Sequence, residues 1–394
     1  NKKNFAKKIK VKNTLKFLTE NSYNIRKTSN AKIISITGSA GKTSLKELLS
    51  YSLKKLSSIT YSKKSFNNKF GVPISLFNLK KKDNFGIFEV GMDKKGEINH
   101  LTKNITPDVG IITNISYAHF KNFKNLKEIA AAKSEMMNNI IQNGTIVLNR
   151  DDSYFNFLKS IALKKKLKVI SFSKNKSSAD IFLKKIVKYK SNFKAIFKIK
   201  NYHKSFVIKN NLKPYVENLL ASVLVISEFF NLKTVNEKLF FDFSLPNSRG
   251  DFSKIKISNK KLFLIDESYN SNPLSLEFAI RNFDSLKFKN KKKYLLLGDM
   301  LEMGKFSKTL HRNIAKIINK TSIDKVYVYG KDIKETYYAI SPDKRGKILS
   351  NINEIYNLIK NDLNNNDYLM IKGSNSTGLN KFVTKIKKER INAL

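Results

Sequence analysis

A short loop near the start of the chain combines glycine, lysine and threonine at a spacing that could hold phosphate. The segment ITGSAGKTS (36–44) follows an apolar, strand-like run and precedes an amphipathic, helix-like stretch. Gly38 and Gly41 would let backbone N–H groups approach a polyphosphate, and the N-terminus of the next helix would add partial positive charge. Lys42 would then reach the β- and γ-phosphates, and the Thr43 hydroxyl would bind Mg²⁺. The pattern favours a nucleoside triphosphate site.

One feature of this loop departs from the usual P-loop. The position five residues before the Gly-Lys pair, normally glycine, is Ile36. The alternative interpretation is a Gly/Ser turn followed by a helix that happens to begin Lys-Thr. Because a strand is predicted before the loop and a helix after it, the phosphate-binding interpretation is favoured.

Several other polar residues fall at predicted strand ends or turns, where α/β folds place their ligands. Glu89 ends an apolar strand and could hold Mg²⁺ through oxygen, or be a solvated acid. His119 follows a buried strand and a turn, and could be a metal ligand or a capped surface histidine. Asn67 and Asn68 could recognise peptide or sugar, or simply form an Asx turn. Lys133 lies on a predicted helix among alanines, and its spacing alone does not distinguish it from the other lysines.

The first half of the chain alternates between predicted strands and helices. Apolar runs at 33–36, 87–90 and 109–113 predict buried strands, and a helix is predicted over 126–141. This alternation is typical of a parallel α/β sheet. Short period-2 runs over 168–209 predict an antiparallel insert or sheet edge, and a helix follows at 216–230.

A second α/β domain is predicted after a Pro- and Gly-containing segment at 245–250. Strands are expected at 262–265, 294–297, 326–329 and 368–371, and helices at 274–286, 309–318 and 352–363. The predicted fold class is α/β, with a P-loop central domain on a mainly parallel sheet and a C-terminal doubly wound, Rossmann-like domain. The expected boundaries are a tail and linker at 1–31, a central ATP-binding domain at 32–246 and a C-terminal domain at 247–394.

Composition limits the class of protein. The chain of 394 residues has no cysteine, so disulfides and thiolate metal sites are excluded, and it has no apolar run of membrane-spanning length. We expect a cytoplasmic protein without membrane insertion. The net charge of +45 raises the possibility of nucleic-acid binding, but only seven of the 76 basic residues are Arg. Because Arg carries specific phosphate and base recognition, nucleic acid is not the expected partner.

The ordered set of motifs resembles the Mur ligase family over nearly the whole chain. Beside ITGSAGKTS, the matching pieces are SFNNKFGVP (65–73), FEVGMDKKGEI (88–98), PDVGIITNISYAHF (107–120), AAAKSEM (130–136), NRDD (149–152), IDESYNSNPLSL (265–276), LGDMLEMG (297–304) with His311, and IKGSNS (371–376). Among these pieces, IDESYNSNPLSL and LGDMLEMG are most similar to the branch of the family that adds a dipeptide.

The resemblance implies an ATP-dependent amide ligase of peptidoglycan precursor synthesis. Its substrates would be UDP-N-acetylmuramoyl-tripeptide (UDP-MurNAc-tripeptide) and D-alanyl-D-alanine, joined through an acyl-phosphate intermediate by a monomer. ATP and two Mg²⁺ ions would be needed, with Thr43 and Glu89 on one ion and His119 and a carbamylated Lys133 on the other. Lys42, Lys133 and His119 would carry the catalysis. Burial could lower the pKa of Lys133 enough for its neutral amine to react with CO₂.

The resemblance also implies which residues bind ATP and which bind the peptide substrates. Those for ATP are Gly38, Ser39, Ala40, Gly41, Lys42, Thr43, Ser44, Arg249, Asn270, Asn272 and Asp299. Those for the peptide substrates are Asn67, Asn68, Lys372 and Ser374. Asp266 and Asp299 each end a predicted strand, and could contact the nucleotide or order the site.

The chain also departs from the family pattern. Only the tail of the family's N-terminal uridine-binding domain could fit before Ile33. The Gly-x-His-Asn-like turn reads LKPYVEN (212–218) and keeps only Asn218, and Asn375 replaces an arginine. The alternatives are another amide ligase of the superfamily, such as a folylpolyglutamate synthase, a non-catalytic nucleotide-binding relative, or a basic nucleic-acid-binding NTPase.

Overall fold

The computed structural model describes residues 10–257, 259–287 and 291–388. Within these ranges the chain forms fifteen strands in two sheets, with α-helices packed on both. The observed α/β class, with one large, mainly parallel sheet and a smaller second sheet, confirms the predicted fold class.

The first sheet has nine strands in the order β2-β3-β1-β4-β5-β6-β7-β8-β9. Its strands are β1 (Lys32–Thr37), β2 (Ile59–Tyr61), β3 (Phe85–Glu89), β4 (Val109–Ile112), β5 (Thr145–Asn149), β6 (Lys168–Ser173), β7 (Ile181–Tyr189), β8 (Asn192–Ile199) and β9 (Tyr202–Ile208). Neighbours from β2 to β7 are parallel, and β7, β8 and β9 form an antiparallel edge. The antiparallel edge predicted over 168–209 is confirmed for β7 to β9, whereas β6, at the start of that range, pairs in parallel with β5 and β7.

Helices cover both faces of this sheet because its inner strands are apolar on both sides. They are α1 (Thr14–Lys27), α2 (Lys42–Lys54), α3 (Gly71–Phe77), α4 (Glu97–Ile105), α5 (Leu126–Ser134), α6 (Phe155–Lys164) and α7 (Val216–Ser227). One core lies under α2 and α7, and a second core lies under α3 to α6. The two cores fix the strand ends that carry the site.

The described residues before β1 form a packed helix and not only a linker. Helix α1 packs against α3 and α4. Arg26 donates hydrogen bonds to the carbonyls of Ile105 and Thr106 at 2.8 and 2.9 Å and lies 3.5 Å from the Asp108 carboxylate. The helix signal near 14–18 was correct, but the helix extends to Lys27 and forms part of the central lobe.

The second sheet has six strands in the order β10-β11-β15-β12-β13-β14. Its strands are β10 (Asp251–Ile257), β11 (Lys260–Glu267), β12 (Lys293–Gly298), β13 (Lys325–Tyr329), β14 (Arg345–Leu349) and β15 (Tyr368–Lys372). Its helices are α8 (Pro273–Ser285), α9 (Ser307–Ile318), α10 (Lys334–Ala339), α11 (Ile352–Asn361) and α12 (Leu379–Lys388). All neighbours are parallel except the β10–β11 pair, as a doubly wound sheet with an added edge strand requires.

Two parts of the predicted secondary structure need correction. The helix predicted over 126–141 ends as α5 at Ser134 and continues as one 3₁₀ turn, where the Glu135 carboxylate accepts hydrogen bonds from Gly96 and Asn99 N–H. Strands β2, β5, β10 and β14 were not predicted; β2, β10 and β14 lie at sheet edges and are only partly buried, whereas β5 is buried along its length. A domain boundary at 246/247 would separate the two sheets, and we keep it as a proposal.

Candidate active site

The P-loop joins β1 to α2, and its shape depends on two glycines. Gly41 has φ +80° and is the N-cap of α2, while Gly38 has φ +147°. A Cβ on Gly38 would lie 1.8 Å from Thr113 Oγ1. Only glycine fits this close approach, so the loop is held against the end of β4.

Two residues that follow β4 hold the P-loop in place through hydrogen bonds. Ser39 N–H donates to the Asn114 carbonyl at 3.0 Å, and Ala40 N–H donates to Asn114 Oδ1 at 2.9 Å. The Thr113 hydroxyl donates to the Ala40 carbonyl at 2.7 Å. The first N–H groups of α2 have no partner within the helix and are the groups left to meet a phosphate. Buried Ser44 lies in that first turn.

Lys42 is folded back onto its own loop. Its Nζ donates to the Gly38 carbonyl at 2.6 Å. Burial lowers the pKa of Lys42, an effect opposed by nearby Glu89 and increased by Arg249. The ammonium therefore lies at the loop between an acidic and a basic neighbour, where a polyphosphate would give it a stronger partner.

An oxygen-rich cluster lies beside the loop. The buried Thr43 hydroxyl donates to Glu89 Oε2 at 2.8 Å, and Asn67 Nδ2 donates to Glu89 Oε1 at 2.7 Å. The Ser65 hydroxyl lies 3.2 Å from Thr43 Oγ1 and accepts a hydrogen bond from Arg249 Nη2, also at 3.2 Å. Hydroxyl and carboxylate oxygens are the ligands that Mg²⁺ prefers.

The two neighbouring asparagines have different positions. Asn67 contacts Glu89, whereas exposed Asn68 accepts hydrogen bonds from Phe70 and Gly71 N–H at 3.1 and 2.9 Å. Asn68 therefore forms the Asx turn that begins α3, although it also lines the cleft. The Asn68 side chain therefore adopts the Asx turn that was the alternative interpretation of this segment.

Lys133 is buried in α5, with 2 % of its surface exposed. Among the described residues its Nζ has no hydrogen bond or ion pair. Burial lowers the pKa of Lys133 well below its ordinary value, and the charge of Lys42 lowers it further. A buried amine without a counter-ion favours its neutral form.

His119 lies between carboxylates from two lobes. Its Nδ1 is 2.9 Å from Asp93 Oδ1 and 2.5 Å from Glu302 Oε2. Hydrogen bonding to His119 is the main reason that the pKa of Glu302 is lowered. In the part of the chain that the structure describes, these three residues are the one set of His and acidic side chains close enough to share an ion.

The C-terminal lobe closes over the P-loop. Asn272 is the N-cap of α8, where its Oδ1 accepts from Ser275 N–H at 2.9 Å. Its Nδ2 donates to the Ser39 carbonyl at 3.1 Å, so one side chain joins the two lobes. Arg249 stacks 4.2 Å above the Tyr269 ring. Exposed Asn270 lies beside this group on the cleft wall.

The linker that carries Arg249 is fixed by a polar cluster. The Ser248 hydroxyl donates to Asp266 Oδ2 at 3.0 Å. Lys387 Nζ, from α12, donates at 2.6 Å to both Asp251 and Asp266. Of the two roles considered for Asp266, the geometry corresponds to ordering the site.

Two residues expected to bind substrate lie deeper in the cleft. Buried Lys372 donates to the Asn270 carbonyl at 2.9 Å and lies 3.4 Å from Glu267 Oε2. Burial lowers the pKa of Lys372 and raises the pKa of Glu267, while each charge favours the ionised form of the other. Buried Ser374 accepts from Leu301 N–H at 2.9 Å and donates to the Ser271 carbonyl at 3.3 Å.

Asp299 lies apart from the other expected ATP-binding residues. Its carboxylate accepts hydrogen bonds from the N–H groups of Lys331, Asp332 and Ile333 at 2.8 to 3.0 Å. It is absent from the lining of the cleft. Asp299 therefore organises the turn before α10 instead of facing the P-loop.

One cleft of about 1370 Å³ collects nearly all of these groups. It runs from the P-loop to α1 on one side and to the loop after β15 on the other, and both lobes line it. Ser65, Tyr269 and Glu302 belong to it but were not predicted as site residues. A hydroxyl in the Asn-rich turn and an acid in LGDMLEMG were the available sequence signals for Ser65 and Glu302.

Comparison with known proteins agrees with this architecture. Residues 36–226 match the Mur ligase middle domain, and residues 254–375 match the family described as "Mur ligase, glutamate ligase domain". The chain belongs to the Mur ligase family.

Two individual relatives and one solved structure are similar to this chain over most of its length. The chain is 33% identical to the UDP-N-acetylmuramoyl-tripeptide–D-alanyl-D-alanine ligase of Buchnera aphidicola subsp. Baizongia pistaciae, covering 98% of this chain and 82% of that one. It is 30% identical to the enzyme of the same name from Rickettsia prowazekii, over 95% of this chain and 82% of that one. The crystal structure of MurF ligase from Thermotoga maritima in complex with ADP has the same fold, with a TM-score of 0.82 and 21% identity over 99% of this chain and 88% of that chain.

No α-helix among the described residues has both the length and the apolar character to cross a lipid bilayer.

Proposed function

We propose that this chain is an ATP-dependent, ADP-forming ligase that joins D-alanyl-D-alanine to UDP-MurNAc-tripeptide in peptidoglycan precursor synthesis. The observation that carries the proposal is the match to curated relatives of that name over 98% and 95% of the chain. The cleft supports it, because one lobe supplies a P-loop and the other closes over it with Asn272 and Arg249. All of these groups come from one chain, so we propose a monomer as the active unit.

ATP would bind with its phosphates on the loop Gly38–Ser44. The free N–H groups at the start of α2 and the Lys42 ammonium would neutralise the β- and γ-phosphates. Arg249 would approach from the other lobe, where it already reaches the Ser65 hydroxyl. Asn270 and Asn272 would complete the nucleotide side. We do not extend this role to Asp299, whose carboxylate is used by the turn before α10.

We assign the candidate metal ligands to two divalent cations. Thr43 and Glu89 would hold the first Mg²⁺, since their oxygens lie 2.8 Å apart in a buried pocket. His119 and Lys133 would hold the second, with Lys133 as a carbamate. The buried Lys133 amine, which lacks a counter-ion among the described residues, supports this assignment. Bound Mg²⁺ would supply positive charge to the phosphates and to the developing acyl phosphate.

The chemistry would proceed in two steps. A carboxylate oxygen of the tripeptide attacks the γ-phosphorus, the bond to the β-phosphate oxygen breaks, and ADP leaves. The D-alanyl-D-alanine amine then attacks the acyl carbon and loses a proton. Phosphate leaves and takes with it the carboxylate oxygen that had bonded to the γ-phosphorus. Both reactants of the first step are anionic, so Lys42 and the helix N-terminus act by neutralising charge and holding the groups in line.

Asn67, Asn68, Lys372 and Ser374 would bind the peptide substrates. All four line the same cleft, with the asparagines on the central lobe and the other two on the C-terminal lobe. The buried Lys372 ammonium would attract the carboxylate of the incoming dipeptide, with Glu267 as its partner until the substrate binds.

The test is phosphate release by this chain with MgATP and UDP-MurNAc-tripeptide, measured with and without D-alanyl-D-alanine. We expect release that depends on the dipeptide and a product carrying its added mass. Glutamate and single amino acids serve as alternative acceptors. Release with glutamate instead of the dipeptide would overturn the proposed acceptor, and ATP binding without any release would overturn the ligase proposal.

The carbamate has its own test. After incubation with ¹³C-labelled bicarbonate, a carbamate carbon should appear in the ¹³C NMR spectrum of the wild-type protein and be absent from Lys133→Met. The buried Lys372→Met variant is the matched control and should keep the signal. An identical spectrum for wild type and Lys133→Met would contradict the carbamate.

A further inference from the structure

The ring of His119 is held by two acids that come from different lobes. Asp93 lies in the loop after β3, and Glu302 lies in the loop after β12 of the C-terminal lobe. Both carboxylates approach the same ring atom, Nδ1, at 2.9 and 2.5 Å.

The two ring nitrogens have different surroundings. Nδ1 is fully buried, whereas the side chain as a whole is 27% exposed and lines the cleft. The exposed part of the side chain therefore excludes Nδ1, which leaves Nε2 and the carbon atoms to face the cleft. An imidazole that donates from Nδ1 to a carboxylate leaves Nε2 deprotonated and able to bind a metal.

The short Glu302 distance leaves little room for an ion between that carboxylate and Nδ1. Two ligands at right angles around Mg²⁺, each about 2.1 Å away, are about 2.9 Å apart. The 2.5 Å separation from Glu302 is shorter than this and also shorter than the usual N–H···O⁻ distance of about 2.7 to 2.9 Å, and Nδ1 is not aligned to donate to either acid until the ring rotates.

We propose that Glu302, together with Asp93, is a positioning residue that orients His119 so that Nε2 is presented to the second cation. Because Glu302 belongs to the other lobe, closure of the lobes completes this outer shell and couples closure to metal affinity. This inference rests on the proposed function, since it uses the second Mg²⁺ site named there.

The Glu302 contact is part of a packed interface. Its backbone carbonyl accepts from Lys121 N–H at 2.8 Å. A Cβ on Gly304 would lie 2.9 Å from Lys121 Cα, so the two loops touch at backbone level. Phe306 packs against Phe120 with ring centroids 5.1 Å apart. This packing fixes the Glu302 backbone and brings its carboxylate to His119.

The experiment measures metal binding without turnover. Mn²⁺ binding to the full chain is followed by electron paramagnetic resonance in the presence of a non-hydrolysable ATP analogue. We expect two Mn²⁺ ions in the wild type. In Glu302→Ala the ion on His119 and Lys133 should lose about tenfold or more in affinity, as is typical for loss of an outer-shell partner. The other ion, on Thr43 and Glu89, should be unchanged and serves as an internal control.

Two further variants separate positioning from a general structural role. Glu302→Gln keeps an oxygen that can accept from Nδ1, so it should recover part of the lost affinity. Glu277→Gln removes a partly exposed acid of the same lobe that pairs only with Arg281 among the described residues, and should bind both ions as the wild type does. Urea unfolding of each variant shows whether it is folded.

Each outcome has a distinct meaning. Unchanged affinity for both ions in folded Glu302→Ala would overturn the positioning role while leaving the proposed function intact. An equal loss in Glu277→Gln would also overturn it, since the effect would then be one of general charge. A wild-type chain that turns over but binds one ion would remove the second site itself.

Discussion

Asn272 offers a direct test of lobe closure, because its side chain has two separable contacts. Its Oδ1 caps α8, and its Nδ2 donates to the Ser39 carbonyl of the P-loop at 3.1 Å. Replacement by Ser keeps a good N-cap but is too short to reach the loop, whereas replacement by Ala removes both contacts. The pair therefore distinguishes helix stability from closure.

The expected magnitudes follow from these contacts. Loss of the lobe-to-lobe hydrogen bond should cost about 1 to 1.5 kcal/mol of closure free energy, because the Ser39 carbonyl is left with no replacement donor. That corresponds to about a five- to tenfold fall in kcat/KM for ATP in both variants. Loss of the cap should add about 1 kcal/mol to the destabilisation of Asn272→Ala alone.

The assay is phosphate release as a function of ATP concentration, with urea unfolding of each variant beside it. We expect Asn272→Ser to lose kcat/KM for ATP at nearly wild-type stability. If Asn272→Ser kept full kcat/KM and Asn272→Ala lost activity only in proportion to its stability, the contact with Ser39 would have no role in closure and the reasoning would be refuted.

Three further predictions concern stability. Gly38→Ala should lower the free energy of unfolding by about 2 kcal/mol or more, because the added Cβ would clash with Thr113. Gly96→Ala, at φ +90° and with no atom within 4 Å of the added Cβ, should cost only about 1 kcal/mol through backbone strain. Equal losses for the two variants in urea unfolding would contradict the clash. Burial lowers the pKa of His311, whose Nε2 accepts a hydrogen bond from the Met300 N–H, so on acidification the unfolded chain binds a proton at a higher pH than the folded chain does. The free energy of unfolding should therefore fall as the pH drops below about 6.5. A His311→Gln variant with the same decline between pH 7 and 5 would refute this. Lys387→Met should cost about 2 kcal/mol by leaving two carboxylates without their ammonium, while an unchanged unfolding midpoint would show that the cluster is not stabilising.

The alternation of strands and helices could be predicted because buried parallel strands are short, nearly continuous apolar runs. Strands β3, β4 and β12 are buried along their length and were found. Strand β10 is half-exposed at a sheet edge, so its sequence DFSKIKI carries too little apolar signal. The length of helix α1 was underestimated because tertiary contacts stabilise it, namely its packing on α3 and α4 and the hydrogen bonds of Arg26.

The site could be predicted where its residues are local in sequence. The P-loop is one strand–loop–helix unit, so its spacing alone indicates phosphate binding. Contacts between distant segments could not be predicted, such as His119 with Glu302 or Arg249 with Ser65, because they depend on how the lobes pack. Asp299, a strand-end acid, was expected to contact the nucleotide or to order the site, and in the structure its carboxylate accepts hydrogen bonds from the turn before α10.

Isotope transfer tests the central claim most directly. UDP-MurNAc-tripeptide labelled with ¹⁸O in its terminal carboxylate is incubated with MgATP, D-alanyl-D-alanine and the chain, and the released phosphate is analysed by mass spectrometry. If the carboxylate attacks the γ-phosphorus, each phosphate released during amide formation carries one ¹⁸O. Unlabelled phosphate would mean that ATP is hydrolysed by water, and would contradict the account of this chain as a ligase that activates a carboxylate.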